Sequence, residues 1–209
     1  MSDLTTIYIV RHGESVWNVM KILQGQRNSP LTRRGKEQAV HRALELKDIE
    51  FSAIFSSDLV RAEQTAHVLA LKRKMAIQTT KALRERYFAK FEGRRPGVDK
   101  ELRKLFKDYE AASPTDKWIM NRDGIESDEE VVSRVITLLR EVAVAYAGKN
   151  VLMVSHGGMM HVLLVHLGYG THEELHPWSI SNLAYITLES DGVEFTIKEV
   201  HGIVKDSTV

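Results

Sequence analysis

Three short segments of this 209-residue chain carry residue types suited to gripping and transferring a phosphoryl group: Arg11-His12-Gly13, Arg61 and His156-Gly157-Gly158. A guanidinium stays charged at any working pH, and its planar fork matches two phosphoryl oxygens at once. An imidazole can be a nitrogen nucleophile when neutral or a further cation when protonated. Gly13 and Gly157 would let backbone approach an anion closely, and a helix starting there would offer unpaired N–H groups. In phosphoryl transfer a protein mostly positions groups and stabilises charge on the equatorial oxygens. Arg11, Arg61 and a protonated His156 could do that without a metal, with a neutral His12 in line as the nucleophile.

These residues need a scaffold that brings them to one edge. Short apolar runs alternate with longer helical patterns, and Ile7-Tyr8-Ile9-Val10, Ala53-Ile54-Phe55 and Val151-Leu152-Met153-Val154 read as strands. Unbroken apolar strands between helices point to a parallel sheet covered on both faces. Ser56-Ser57-Asp58 is placed to cap a helix running to about Leu71. Two alternating runs between Leu183 and Val200 meet at Asp191-Gly192, a hairpin turn signal. From Glu85 to about Ser133 the pattern is helical, charged and irregular, as suits a cap over a site. Ligands of such sheets bind beyond the carboxyl ends of the strands, and all three chemistry-bearing segments fall there.

Composition narrows the field. Twenty-nine basic against 28 acidic residues give a net charge of +1, too little for a global field toward nucleic acid or an anionic membrane. Zero cysteines exclude disulfides, thiolate metal sites and a thiol nucleophile. Met1-Ser2-Asp3-Leu4 has neither a basic nor a long apolar leader, and the most apolar stretch, 151–165, is short and interrupted by Ser155, His156 and His161. The expectation is one cytoplasmic domain.

At this point the chain resembles the histidine phosphatase superfamily, also called phosphoglycerate mutase-like. The matching text is Tyr8-Ile9-Val10-Arg11-His12-Gly13-Glu14-Ser15-Val16-Trp17-Asn18, then Gln24-Gly25, Pro30-Leu31-Thr32-Arg33-Arg34-Gly35, the run from Ser56 to Ala66, Leu83-Arg84-Glu85-Arg86, Glu92-Gly93 and Val154-Ser155-His156-Gly157-Gly158. The motifs run in order over roughly residues 6–190. The resemblance implies an α/β three-layer sandwich with a mostly parallel central sheet and a small helical insertion at about 86–130, all in one domain. It implies His12 as the phosphorylated nucleophile, with Arg11, Arg61 and His156 completing the catalytic phosphate pocket. Glu85 would be the general acid and then the base. Asn18, Gln24, Gly25, Arg86 and Gly157 would bind phosphate or substrate. No cofactor or metal is implied, and the partner would be a small phosphorylated substrate.

Mutases of this family that use a bisphosphoglycerate cofactor typically show Glu-Arg-x-Tyr-Gly, an Asn-Lys pair, and Asn two residues after the second histidine. This chain has Phe88 and Ala89 in the first motif, Arg95-Pro96 in the second and Gly158 in the third, whereas Glu92-Gly93 looks like the phosphatase branch. The resemblance therefore favours a phosphatase over a phosphoglycerate mutase. A protein-binding module on an inactive scaffold is disfavoured because His12, Arg11, Arg61, Glu85 and His156 are all retained. Asn28 stands where the family often has Asp, and reads as a neutral position.

Two further motifs compete. His172-Glu173-Glu174-Leu175-His176 fits the zinc-peptidase pattern H-E-x-x-H, but Pro177 pushes His176 away from helical geometry and the third ligand would have to be Glu194 or Glu199 in the expected hairpin. The run Arg94-Arg95, Lys100, Arg103-Lys104 and Lys107 is broken by acids and reads as a solvated helix, with Arg94 or Arg95 as candidates for a second anionic group of the substrate. Trp118, Ile119 and Met120 suit either a cap core or a homodimer interface.

Overall fold

A computed structural model describes residues 3–71, 73–176 and 179–206. The elements in chain order are β1 (Thr5–Arg11), α1 (Val16–Val19), α2 (Arg33–Glu45), β2 (Phe51–Ser57), α3 (Val60–Ala70), β3 (Ile77–Thr80), α4 (Lys100–Ala111), α5 (Pro114–Ile119), α6 (Asp128–Ala145), β4 (Asn150–Ser155), α7 (Gly157–His166), β5 (Ile180–Ser190) and β6 (Phe195–Ile203). The sheet order is β3-β2-β4-β1-β5-β6. The first four strands in that row run parallel, and β5 and β6 extend the sheet as an antiparallel edge.

Side-chain alternation along the central strands builds two cores. Ile7, Ile9, Val151 and Met153 face the layer of α6 and α7, whereas Val10, Leu152 and Val154 face the layer of α2 and α3. The result is the expected three-layer α/β sandwich. On α6, Val131, Val135, Leu139 and Val142 recur at three to four residues and are buried, and Ser127 and Glu130 close a capping box at its start. The charged segment between Glu85 and α6 builds a small separate core of Phe91, Leu102 and Ile125 under α4. Trp118 packs against the main core and stacks on His166 with centroids 5.4 Å apart, while Ile119 is exposed.

The sheet register positions the site. Arg11 pairs with Ser155 across the adjacent parallel strands β1 and β4, so the next residues, His12 and His156, leave the sheet side by side. The backbone N–H of His12 still donates to the Ser155 carbonyl at 3.0 Å. This is the point where the chain switches from one side of the sheet to the other.

Three expectations need correction. Strand β3 was not foreseen, because Ile77-Gln78-Thr79-Thr80 is only four residues long and lies on the sheet edge. Helix α3 begins at Val60 with Leu59 as its N-cap and no side-chain cap of its own. Instead the remote Asn28 Oδ1 accepts from the Val60 N–H at 3.0 Å, and Asp58 is held by both ends of the Arg84 fork at 2.6 and 2.7 Å. The hairpin strands are longer than foreseen, although the turn at Asp191-Gly192 stands, with Asp191 Oδ1 accepting from Val193 and Glu194.

Candidate active site

His12 is 2% exposed, and its ring is held at both nitrogens. Nδ1 lies 2.7 Å from the Gly13 carbonyl oxygen. A carbonyl can only accept, so Nδ1 carries the proton and Nε2 carries the lone pair. Burial, then the charges of Arg61 and Arg11, push this imidazole well below its ordinary 6.5, which keeps it neutral near pH 7. The peptide is tied down as well: Asn182 Nδ2 donates to the His12 carbonyl at 3.0 Å, and the Gly13 N–H donates to Thr65 Oγ1 at 3.0 Å.

Arg61, on the first turn of α3, is 1% exposed. Its Nε donates to His12 Nε2 at 3.2 Å, Nη1 to the Arg27 carbonyl at 2.9 Å and Nη2 to the Gly25 carbonyl at 2.7 Å. The two carbonyl contacts fix the plane of the fork, and the longer third contact lies on the lone-pair nitrogen of His12. Burial lowers the Arg61 guanidinium to about 10, opposed by the Glu85 carboxylate, so it stays cationic. Gly25 is needed twice over. Its φ of +50° is left-handed, and a Cβ there would come within 2.1 Å of the Glu92 carboxylate.

His156 is the N-cap of α7 and is completely buried, its ring centroid 5.2 Å from that of His12. Neither of its nitrogens has a hydrogen-bond partner, and the same holds for Arg11 Nε. Burial, then the Arg61 charge, push His156 well below 6.5. Unpartnered buried donors and acceptors are costly, so these atoms mark a place shaped for a ligand.

Glu85 reaches the site from the segment after β3. Its Oε2 accepts from the Gly158 N–H at 2.9 Å, and its Oε1 accepts from Met159 and Arg86 N–H groups at 2.9 and 2.8 Å. The carboxylate thus sits on the N-terminus of α7, where unpaired N–H groups and the helix dipole favour an anion. The place exists because Gly158 has no side chain: a Cβ would lie 2.6 Å from Glu85 Oε1.

Arg11, His12, Asn18, Gln24, Gly25, Arg61, Glu85, Arg86 and Gly157 all line one cavity of about 320 Å³; His156 is not among its lining residues but lies next to His12. Asn18 Oδ1 accepts from the Ser15 N–H at 3.0 Å, which leaves its amide N–H groups as the donor end. Gln24 Oε1 accepts from Ser15 Oγ at 2.8 Å. Thr65, Asn182, Gln26 and Arg134 were not foreseen. They act by long-range hydrogen bonds to backbone, the last two through the Glu85 carbonyl at 3.2 and 3.3 Å, and such bonds leave no periodic trace in a sequence.

The competing motifs come apart. Residues 171–176 form a turn rather than a helix, with His172 Nε2 3.2 Å from Asp128 and His176 Nε2 3.4 Å from Asp206; Pro177 lies outside the described residues. Arg94 pairs with Asp99 and Glu101 at 3.2 and 3.0 Å, and neither Arg94 nor Arg95 lines the cavity. Among the described residues no helix is long and apolar enough to cross a membrane.

Comparison with known proteins agrees with this geometry. The family model "Histidine phosphatase superfamily (branch 1)" matches residues 7–201. A Bacillus subtilis protein named uncharacterized phosphatase PhoE is 30% identical over 196 residues, covering 94% of each chain. The probable phosphoglycerate mutase GpmB of Escherichia coli is 34% identical over 151 residues, 72% of this chain and 69% of that one. Among solved structures, Bacillus stearothermophilus YhfR superposes with a TM-score of 0.82 at 28% identity, covering 96% of this chain and 98% of the other. The chain belongs to branch 1 of the histidine phosphatase superfamily and is an enzyme of that superfamily.

Proposed function

We propose that the chain hydrolyses small phosphomonoesters through a covalent phosphohistidine on His12, without a metal ion. The observation that carries this reading is the state of His12: Nδ1–H bound to a carbonyl, and Nε2 presented between buried guanidinium groups and an unpartnered imidazole.

The substrate phosphoryl group takes the place of the 3.2 Å contact between Arg61 and His12. Arg61 Nε then donates to a phosphoryl oxygen and frees the Nε2 lone pair. Arg11, Asn18, the Gly157 backbone and His156, protonated as the dianion enters, share the equatorial oxygens. Nε2 attacks phosphorus in line, the P–N bond forms and the bond to the leaving oxygen breaks. The Glu85 carboxylate takes up a proton from solvent as the dianion enters beside it and gives that proton to the leaving oxygen. In the second half-reaction the Glu85 carboxylate takes a proton from water, whose oxygen forms the new P–O bond as the P–N bond breaks. Inorganic phosphate leaves, and His12 and Glu85 return to their starting states. The Nδ1–H bond to Gly13 keeps the ring oriented and stabilises the charge it gains.

A mutase reading has support in the names of several relatives, but three positions argue for hydrolysis. Phe88 and Pro96 line the cavity, so apolar surface faces the ligand where the mutase pattern has a phenol and an Asn-Lys pair. A side chain at 158 would displace Glu85 from its seat on α7. The test is phosphate release in EDTA from a panel of esters, with interconversion of 3- and 2-phosphoglycerate followed in parallel. Release from several esters is expected. Isomerisation with little release would replace this reading by a mutase, and vanadate binding with no turnover would replace it by a binding module.

A further inference from the structure

The cavity extends well past the phosphate pocket, and its far part differs in character. Its lining includes Phe88, Leu105, Phe106, Met120 and Ile125 from the segment between Glu85 and α6, together with Val162 of α7. Phe88, Leu105 and Phe106 also lean on the small core of Phe91, Leu102 and Ile125, so one side of that core is left open to the cavity. A polar alcohol would gain little there: these side chains offer no hydrogen bonds, and Tyr109, Arg122, His161 and His176, which also line the cavity, are engaged by Asp128, Asp108, the Leu175 carbonyl and Asp206.

Arg86 stands beside these side chains with part of its guanidinium unengaged. Arg86 is 8% exposed and lines the cavity. Its Nη2 is bound to Asp128, a fully buried carboxylate that also accepts from Tyr109 Oη at 2.9 Å and faces His172 Nε2 at 3.2 Å. Its Nε is buried without a partner, and Nη1 makes no hydrogen bond among the described residues. Asp128, Tyr109 and His172 therefore act as positioning residues that hold the guanidinium plane. The donors left over are the ones not engaged with Asp128.

We infer that the cavity takes phosphomonoesters whose alcohol has an apolar body of about aromatic-ring size ending in a hydrogen-bond acceptor, with the body against Phe88 and Phe106 and the acceptor on Arg86. This rests on the phosphatase reading and names its substrate class. Other charges at the cavity are Glu110 and Arg122, the latter engaged by Asp108 at 2.7 Å.

The test uses three primary alkyl esters: ethyl phosphate, 2-phenylethyl phosphate and 2-(4-acetylphenyl)ethyl phosphate, with phosphate release as the readout. In the intact protein kcat/KM rises by about tenfold or more from the first to the second, as burial of a ring predicts. It rises again by about threefold or more with the acetyl oxygen, the size of one added hydrogen bond. Phe106→Ala shrinks the first ratio. Arg86→Lys, which keeps a cation beside Asp128 but loses the fork, shrinks the second. Each ratio is taken within one variant, so a general loss of activity cancels. If Arg86→Lys is unstable, the double change Arg86→Met with Asp128→Asn removes the stranded charge and serves instead. Equal kcat/KM for all three esters, or ratios unmoved by these substitutions, would overturn the inference while leaving hydrolysis intact. No phosphate release from any ester would instead sink the phosphatase reading beneath it.

Discussion

His12 and His156 stand with ring centroids 5.2 Å apart and planes at 59°, and His161 and His172 stand 5.3 Å apart at 58°. Geometry alone does not tell these pairs apart, and burial lowers all four imidazoles, His161 and His172 to about 4. Their surroundings differ. His161 Nε2–H donates to the Leu175 carbonyl at 2.6 Å and His172 Nε2–H points at Asp128, so each ring has a protein partner, although His172 Nδ1 and the neighbouring Arg86 Nε are buried without one. Near that pair Arg86 and Lys117 are matched by Asp128 and Glu173. Beside the first pair Arg11 and Arg61 face the carboxylate of Glu85, and His156 has no partner on either nitrogen. A pair of histidines becomes a candidate site when cations exceed anions and hydrogen bonds are left for a ligand to fill.

Substitutions can break this contrast. His12→Ala is expected to cost about 10⁴-fold or more in kcat, because no other group can carry the phosphoryl. Arg61→Lys should cost about 10²-fold, since a point charge cannot keep both carbonyl contacts and also meet a phosphoryl oxygen; a near-normal rate would mean the fork is not the clamp. In the first turnover, before hydrolysis of the intermediate, Glu85→Gln should slow alcohol release from alkyl esters by about 10²-fold yet affect p-nitrophenolate release far less, because a good leaving group needs no acid. Equal losses on both esters would remove Glu85 from that role.

At the second pair the expected effect is on stability. His172→Phe removes the hydrogen bond to a buried carboxylate and should lower unfolding free energy by about 1–3 kcal/mol, read from the denaturant midpoint. A rate loss as deep as that of His12→Ala would erase the contrast between the pairs. The pH dependence sharpens it. All four folded values lie below the unfolded 6.5, so on acidification the unfolded chain binds protons first and the free protein loses stability as pH falls below about 6.5. A tungstate ion in the first site would give His156 a partner for its protonated form. The melting-temperature gain from tungstate should therefore be larger at about pH 6 than at about pH 8. A gain that shrinks toward acid would contradict this assignment.

Much of this arrangement was legible in the residues. The strands Ile7 to Val10 and Val151 to Val154 are mostly apolar, and the Arg11-His12 and His156-Gly157 segments follow them closely. Their parallel pairing then brings His12 and His156 together without further instruction. What stayed hidden was held by contacts remote in sequence. Asn28 capping α3 and Asn182 holding the His12 carbonyl each join segments at least 30 residues apart, and single polar residues in loops carry no period. The seat of Glu85 on α7 became visible only once Gly158 was seen to leave room for it.

The most direct test of the account is to trap the covalent intermediate. Enzyme mixed with excess p-nitrophenyl phosphate would be quenched in alkaline denaturant, where a phosphorylated imidazole survives, and the modified residue mapped by peptide mass and its isomer by phosphorus NMR. The account predicts one phosphoryl group on His12, at Nε2, and none in His12→Ala. Phosphorylation at Nδ1, on His156 or on no histidine at all during steady turnover would contradict it.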